Sequence, residues 1–169
     1  MNIFMTSGTP DFLHKLIDKN PGETLIQLQG DDTSLLIHET AGSSIFTQPR
    51  SYEVFEQSGM LTNEGYFVFN NIPVSDEGRP VFEDRFKSRA GLIDKEPGFI
   101  AIRVLRPLNS DTYVVLTQWD NEKSFQDWQS SQAYNKAHEK RGTSQGLDHQ
   151  KTMFPRSSFV TKYIGQPEE

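Results

Sequence analysis

A chain of 169 residues is long enough for one hydrophobic core or for two small packed subdomains. Its net charge of -6 argues against a nucleic-acid partner, and the absence of cysteine excludes disulfides, zinc–cysteine sites and iron–sulfur ligation. No stretch approaches the roughly 20 apolar residues that a membrane-spanning helix needs, and the N-terminus has no basic segment followed by an apolar one. We therefore expect a soluble cytoplasmic protein with no membrane partner.

The first 65 residues predict a small α+β subdomain. Thr9-Pro10 opens a helix with apolar residues at helical spacing, and Asn20-Pro21-Gly22 ends it. A second, short helix is expected from Pro49 to Gly59. Apolar runs between turn-forming residues predict strands at 3–5, 24–29, 34–38 and 45–47.

Residues 66–164 predict a second subdomain with the order β-α-β-β-α-β, which is the ferredoxin-like pattern, and residues 165–169 form a tail. Its first helix begins around Ser75-Asp76-Glu77 and Pro80. Asp120 can cap the next helix, and Ser130 or Ser131 can end that helix and cap a further one that reaches Arg141. Such a sheet carries helices on one face, so the other face needs a second sheet or a ligand. The strands are expected at 66–74, 99–105, 112–119 and 158–164.

His138 is the histidine best placed for chemistry, because it lies four residues after Tyr134 on the same side of a predicted helix. Imidazole is the usual protein ligand of haem iron. The alternative is a solvated histidine near a helix C-terminus, where the helix dipole favours it. His14, His38 and His149 have no partner at the spacing of a metal site.

Trp128 and Asn71 are two further candidates. Trp128 is either an indole pressed against a flat ring or ordinary core packing with Phe125, three residues earlier. Asn71 shares a strand face with Phe67 and Phe69, whereas Asn70 lies on the other face. An amide among aromatic side chains must meet a ligand or be satisfied by backbone groups. Together, His138, Trp128 and Asn71 suggest a pocket for a large, flat, iron-bearing ligand.

Other chemistry is poorly supported. The glycine-containing segment 142–146 follows a helix rather than a strand, so it does not match a phosphate-binding loop. There is no Gly-x-Ser-x-Gly sequence and no recognisable pair of catalytic carboxylates. If the protein is an enzyme, a cofactor or a reactive ligand is therefore expected to supply the chemistry.

Three segments of the second subdomain resemble the antibiotic biosynthesis monooxygenase (ABM) family, and within it the haem-degrading monooxygenases of the Isd type. The spacing from Trp128 to His138 matches that family without a gap. Over its whole length, including segments 37–40 and 103–107, the chain resembles the longer, HmoB-type members. The three segments are Val115-Leu-Thr-Gln-Trp119, Ser124-Phe-Gln-Asp-Trp128 and Ala137-His138.

This resemblance implies a site and a reaction. An asparagine, a tryptophan and a histidine form the family's triad, and they map onto Asn71, Trp128 and His138, with Asn70 as the neighbouring alternative. His138 would ligate the iron of haem, Asn71 would lie on the dioxygen side, and Trp128 would press on the porphyrin. Haem is then both substrate and cofactor, and O2 and electrons from an external, unidentified reductase are needed to open the ring and release iron. Arg103 and Arg106 are candidates to meet the haem propionates.

The resemblance also predicts an assembly. Short relatives pair two ferredoxin-like domains through their sheets into a dimeric α+β barrel. Here residues 1–65 would complete that barrel in cis, which predicts a monomer with an internal pseudo-dimer and leaves a homodimer as the alternative. Staphylococcal TRAP-type signalling proteins share this long layout, so a non-enzymatic regulatory protein that binds haem or a partner is the competing function.

Overall fold

A computed structural model describes residues 1–87, 92–131 and 153–166. Part of the predicted helix that should reach Arg141, with His138 on it, lies outside these described residues, as does His149. No helix within the described ranges is long and apolar enough to cross a membrane.

The described residues form eight strands and three helices. Helix α1 is capped by the Thr9 hydroxyl, which accepts from the Phe12 N–H, and α3 is capped by Asn121 rather than by the expected Asp120. Helix α2 begins at Arg79, with Pro80 in its first turn as expected. In chain order the elements are β1 (Asn2–Gly8), α1 (Pro10–Lys19), β2 (Thr24–Gln29), β3 (Ser34–Thr40), β4 (Arg50–Gly59), β5 (Tyr66–Pro73), α2 (Arg79–Phe86), β6 (Phe99–Pro107), β7 (Thr112–Trp119), α3 (Glu122–Gln129) and β8 (Phe159–Gly165).

The strands close into one antiparallel barrel with the order β1-β3-β2-β8-β5-β7-β6-β4. Strands β1–β4 are arranged 4-1-3-2, and β5–β8 repeat this order as 8-5-7-6, so the barrel contains two ferredoxin-like halves in one chain. The expectation that the N-terminal residues complete an α+β barrel in cis is confirmed. The boundary between residues 65 and 66 falls between β4 and β5, and independent domains on either side of it stay a prediction.

Two seams join the halves, and they differ in length. Strand β4 pairs with β6 through seven residue pairs, from Tyr52–Pro107 to Gly59–Ala101. Strand β2 pairs with β8 only through Leu28–Gly165 and Gln29–Ile164. Most of the backbone pairing between the halves therefore lies on the β4–β6 side of the barrel.

Alternation along the strands gives the sheet two apolar faces. Inward-facing side chains fill the barrel, and outward-facing side chains pack beneath the helices. On β5, Phe67 and Phe69 point into the barrel, whereas Tyr66 and Val68 face outward. The same strand therefore contributes to two cores, which matters for the site described below.

Two predicted elements of the N-terminal half are wrong. Residues 45–47 form no strand, and residues 50–59 form β4 instead of a helix. Ordinary alternation explains the second error, because it places Tyr52 and Val54 in the barrel interior and Phe55 against the outer clusters. Both faces of β4 therefore carry apolar side chains at this point, and the positions 52, 54 and 55 imitate the spacing of an amphipathic helix. A β-bulge leaves Phe55 unpaired between Val54 and Glu56. The last strand begins one residue later than expected.

Candidate ligand-binding site on the outer face of the C-terminal half

The outer face of the C-terminal half, formed by β5–β8 beneath α2 and α3, carries two apolar clusters. The first, which we call the tryptophan cluster, surrounds Trp119 and reaches Trp128 on α3. The second surrounds Tyr113 and Phe82 on α2. Val115 of β7 packs against both clusters and is only partly buried. The position between the clusters is therefore less completely covered than the clusters themselves.

Trp128 lies in the last turn of α3 and is partly exposed. Its ring lies 5.4 Å from that of Trp119 and 6.2 Å from that of Phe125, measured between ring centroids. The Ser131 hydroxyl donates to the Trp128 carbonyl at 2.6 Å, which ties down the end of the helix. The indole thus packs on the cluster with one side and leaves part of its surface accessible.

Asn71 does not lie on this face. It is 5% exposed and shares the barrel interior with Phe67 and Phe69. Its Nδ2 atom lies 3.2 Å from each of three acceptors, namely the Phe69 carbonyl, the Phe159 carbonyl and the Thr161 hydroxyl. The predicted role of Asn71 in the pocket therefore conflicts with its placement, because the sheet separates it from Trp128 and its amide is already satisfied.

Asn70 is the asparagine that lies on the same outer face as Trp128. By strand alternation it follows Val68 of the tryptophan cluster and precedes Ile72 of the second cluster. Its cross-strand partners are Val115 on β7 and Val160 on β8. Four apolar side chains therefore surround one amide that is only partly buried.

Within the described part of the chain, the Asn70 amide makes no hydrogen bond. A polar group on an apolar face is costly unless water or a ligand satisfies it. Asn71, one residue away, differs in that its Nδ2 atom has three acceptors within the barrel. Asn70 is thus the amide that a ligand on this face would meet.

The two arginines expected to meet carboxylates are already paired. Arg103 points into the barrel, is 4% exposed, and donates from Nε to Glu39 at 2.9 Å. Arg106 is on the outer face, but it bonds both Glu83 and Glu53. The prediction that these arginines are free for propionates therefore does not agree with their contacts.

Lys162 is a cation on the outer face that sequence reasoning missed. It is the cross-strand partner of Val68, and its Nζ lies 5.9 Å from the centre of the Phe125 ring. No carboxylate within the described ranges lies close enough to form a salt bridge with it, whereas Lys123 of α3 pairs with Asp127 at 3.3 Å. The alternation of side chains along β8 was the sequence signal that could have placed Lys162 on the outer face, next to the tryptophan cluster.

Tyr66 borders the cluster and reaches a charged group. Its hydroxyl donates to Glu122 Oε2 at 3.2 Å. Burial, followed by the nearby Glu122 carboxylate, raises the pKa of Tyr66 to about 12, so the phenol is protonated at neutral pH. Tyr66 therefore acts as a neutral hydrogen-bond donor between β5 and α3.

The corresponding face of the N-terminal half is filled. Phe4, Leu13, Leu36 and Phe46 form a cluster beneath α1, and residues 41–49 take the place of a second helix. His38 is fully buried in this cluster, with Nε2 2.7 Å from Glu23 Oε2 and Nδ1 without a hydrogen-bond partner. A flat ligand has no comparable opening there.

The described residues fit a planar, largely apolar ligand that carries a negative charge. Trp128 offers an aromatic surface, Asn70 a hydrogen-bond donor and Lys162 a positive charge, all on one outer face. No group of three or more His, Asp or Glu within the described ranges could hold a metal ion. The only proposed iron ligand, His138, lies outside those ranges, so its position relative to this face stays a prediction.

Comparisons with known proteins point to the same half of the chain. The antibiotic biosynthesis monooxygenase (ABM) family matches residues 65–140. A "Heme-degrading monooxygenase" of Listeria monocytogenes is 27% identical over 151 residues, covering 88% of this chain and 90% of that protein. A "Signal transduction protein TRAP" of Staphylococcus epidermidis is 25% identical, covering 97% and 96%.

A solved structure agrees over the whole length. It is described as that of a major regulator of staphylococcal pathogenesis, and it matches with a TM-score of 0.85 and 25% identity, covering 98% of this chain and 99% of that one. The family resemblance inferred from the three segments is therefore confirmed. The C-terminal half of the chain carries the match to the antibiotic biosynthesis monooxygenase family, and the chain is similar over most of its length to a haem-degrading monooxygenase.

Proposed function

We propose that this protein is a haem-degrading monooxygenase that binds one haem per chain on the outer face of its C-terminal half. The observation that carries the proposal is the placement of Asn70. Its amide stands without a hydrogen bond in the described part of the chain, among apolar side chains, on the face that Trp128 also occupies. Asn70 is only partly buried, so its amide is open to a ligand that approaches this face and can donate to it.

Each residue has a distinct part in this proposal. Trp128 packs against the flat ring, and Asn70 donates its amide N–H toward the face on which charge develops. Lys162 neutralises a propionate carboxylate, which matters because the chain itself is acidic. His138 would supply a nitrogen ligand to the iron.

Haem, when bound, supplies the iron at which O2 is reduced, and its own ring is the substrate that is opened. Electrons come from an external reductase, and iron is released with the opened product. The apolar side chains around Asn70 exclude water from the reacting face. The filled N-terminal face argues for one haem per chain, and the closure of the barrel within one chain supports a monomer. A cytoplasmic location is part of the same proposal.

The direct test adds hemin and a reductant to the purified protein, with catalase present to remove peroxide. We expect the Soret band to disappear and iron to appear in a chelator assay. The variant His138→Ala should lose the axial ligand, seen as a shifted Soret band and weaker hemin affinity. An unchanged spectrum and affinity in this variant would remove His138 from the proposal.

The second candidate is a regulatory protein that binds haem or a partner without turnover. It is favoured by the similarity to the TRAP proteins, which covers nearly the whole chain. The same experiment separates the two functions. Stable hemin binding with a Soret band that persists under reductant and O2 would favour regulation.

A further inference from the structure

Trp119 is the largest fully buried side chain of the outer face, and its orientation is fixed on several sides. Its ring meets Phe99 edge-on at 5.9 Å and Phe125 at 5.9 Å. Its Nε1–H donates to the Thr117 hydroxyl at 3.1 Å, two residues earlier on the same strand face. An indole held by two rings and one hydrogen bond has little freedom to rotate.

Thr117 is a polar residue among the apolar side chains of the tryptophan cluster. Its cross-strand partners are Val68 on β5 and Ile102 on β6, both members of the tryptophan cluster. It is 6% exposed, and its hydroxyl oxygen accepts from Trp119. A valine would fill the same volume without a buried hydroxyl, so packing alone does not explain a threonine here.

The fixed indole of Trp119 lies directly against Trp128. The two ring planes are inclined by 34° at a centroid distance of 5.4 Å. Trp128 is the outer member of this pair and is the one with exposed surface. A rotation of Trp119 would therefore change the tilt at which Trp128 meets anything bound on this face.

We propose that Thr117 and Trp119 are positioning residues that set the tilt of Trp128 against the planar ligand and thereby select which edge of that ligand is attacked. This inference rests on the proposed function, because it assigns the selectivity of that reaction. Thr117 acts only through Trp119, and Trp119 only through Trp128. We expect the altered tilt of Trp128 to change the ratio of ring-opened products by about fivefold, which corresponds to about 1 kcal/mol between the competing transition states.

The experiment compares Thr117→Val, which keeps the shape and loses the acceptor, with Thr117→Ser, which restores it. Trp119 and Trp128 are the only tryptophans in the chain, so the exciton couplet of paired indoles in circular dichroism reports their geometry without any ligand. Trp128→Phe gives the spectrum without a couplet. Thr161→Val is the matched control, since it makes the same substitution at a hydroxyl that accepts from Asn71 inside the barrel, away from the two indoles.

We expect Thr117→Val to weaken the couplet and to change the ratio of ring-opened isomers formed from hemin by about fivefold, with hemin affinity unchanged. Thr117→Ser should restore both, and Thr161→Val should alter neither. The inference is overturned if folded Thr117→Val keeps the wild-type couplet and isomer ratio. It is also overturned if Thr117→Ser shows the same changes as Thr117→Val. If Thr117→Val does not fold, Trp119→Phe must change the isomer ratio for the inference to stand. If the wild-type protein binds no hemin, the proposed function fails, while the couplet still decides whether Thr117 and Trp119 hold Trp128.

Discussion

Neighbouring residues Asn70 and Asn71 give a matched pair of variants that separates function from stability. Asn70 faces outward with no hydrogen bond to the described residues, whereas the Asn71 amide has three acceptors at 3.2 Å inside the barrel. Changing each to alanine removes the same atoms from opposite faces of one strand. We expect Asn70→Ala to reduce haem turnover and Asn71→Ala to reduce stability.

The size of each effect follows from these contacts. An amide nitrogen carries two protons, so two of the three contacts of Asn71 can be full hydrogen bonds. Losing them and leaving their acceptors unpaired costs about 2–4 kcal/mol, which corresponds to a Tm lower by roughly 5–15 °C in a chain of this length. Asn70→Ala should change the unfolding free energy by less than about 0.5 kcal/mol. Its loss of a donor to developing charge should slow turnover by about 10- to 100-fold.

Thermal unfolding, hemin titration and the rate of Soret loss under reductant give the three measurements for both variants. Hemin affinity should stay near the wild-type value in both, because the Asn70 donor acts during reaction rather than on binding. The reasoning would be refuted by normal turnover in Asn70→Ala together with slow turnover and an unchanged Tm in Asn71→Ala.

Three further predictions concern charge, pH and assembly. Lys162→Met should weaken binding of hemin but not of its uncharged dimethyl ester, and Lys123→Met should affect neither; equal loss for both ligands would contradict a charge role. Hydrogen bonding from Arg106 holds the pKa of Glu83 below its ordinary value of 4.5, so this carboxylate stabilises the fold fully above that pH and less as the pH falls through its lowered pKa. The difference in unfolding free energy between the wild type and Glu83→Gln should therefore shrink on acidification. A difference that grows on acidification would contradict this prediction. Deleting residues 1–62 removes β1–β4 and bares the barrel interior, so sedimentation should show an insoluble or dimeric fragment next to a monomeric full chain; a soluble monomeric fragment with a tightly dimeric full chain would contradict it.

Most of the strands could be predicted because their apolar patterns have period two and their ends carry turn residues. The order β-α-β-β-α-β in the C-terminal half also follows from pattern alone, although α3 is the last helix that the structure describes before β8. Strand β4 could not be predicted in this way. Val54 and Phe55 are apolar although they lie on opposite faces of the sheet, so β4 lacks the apolar–polar alternation that identifies a strand, and this segment resembles one turn of an amphipathic helix.

The site shows a different limit. Alternation correctly places Asn70 and Asn71 on opposite faces, but both faces of β5 are apolar, so one strand cannot reveal which face lies inside the barrel. Only the closure of the sheet into a barrel determines which face of β5 lies inside. The pairing of Arg103 with Glu39 of β3 is equally invisible in sequence, because it joins positions 64 residues apart from different halves.

Placing both halves of the barrel in one polypeptide has a genetic consequence. In a barrel made of two identical chains, every codon change appears twice, so a residue that fills one face must fill the other. Here each half is encoded separately. Phe46 and His38 can occupy the face beneath α1 while Asn70 and Trp128 occupy the other, and neither set constrains the other. A substitution in the N-terminal half can therefore strengthen the barrel without changing the face that we propose for the ligand.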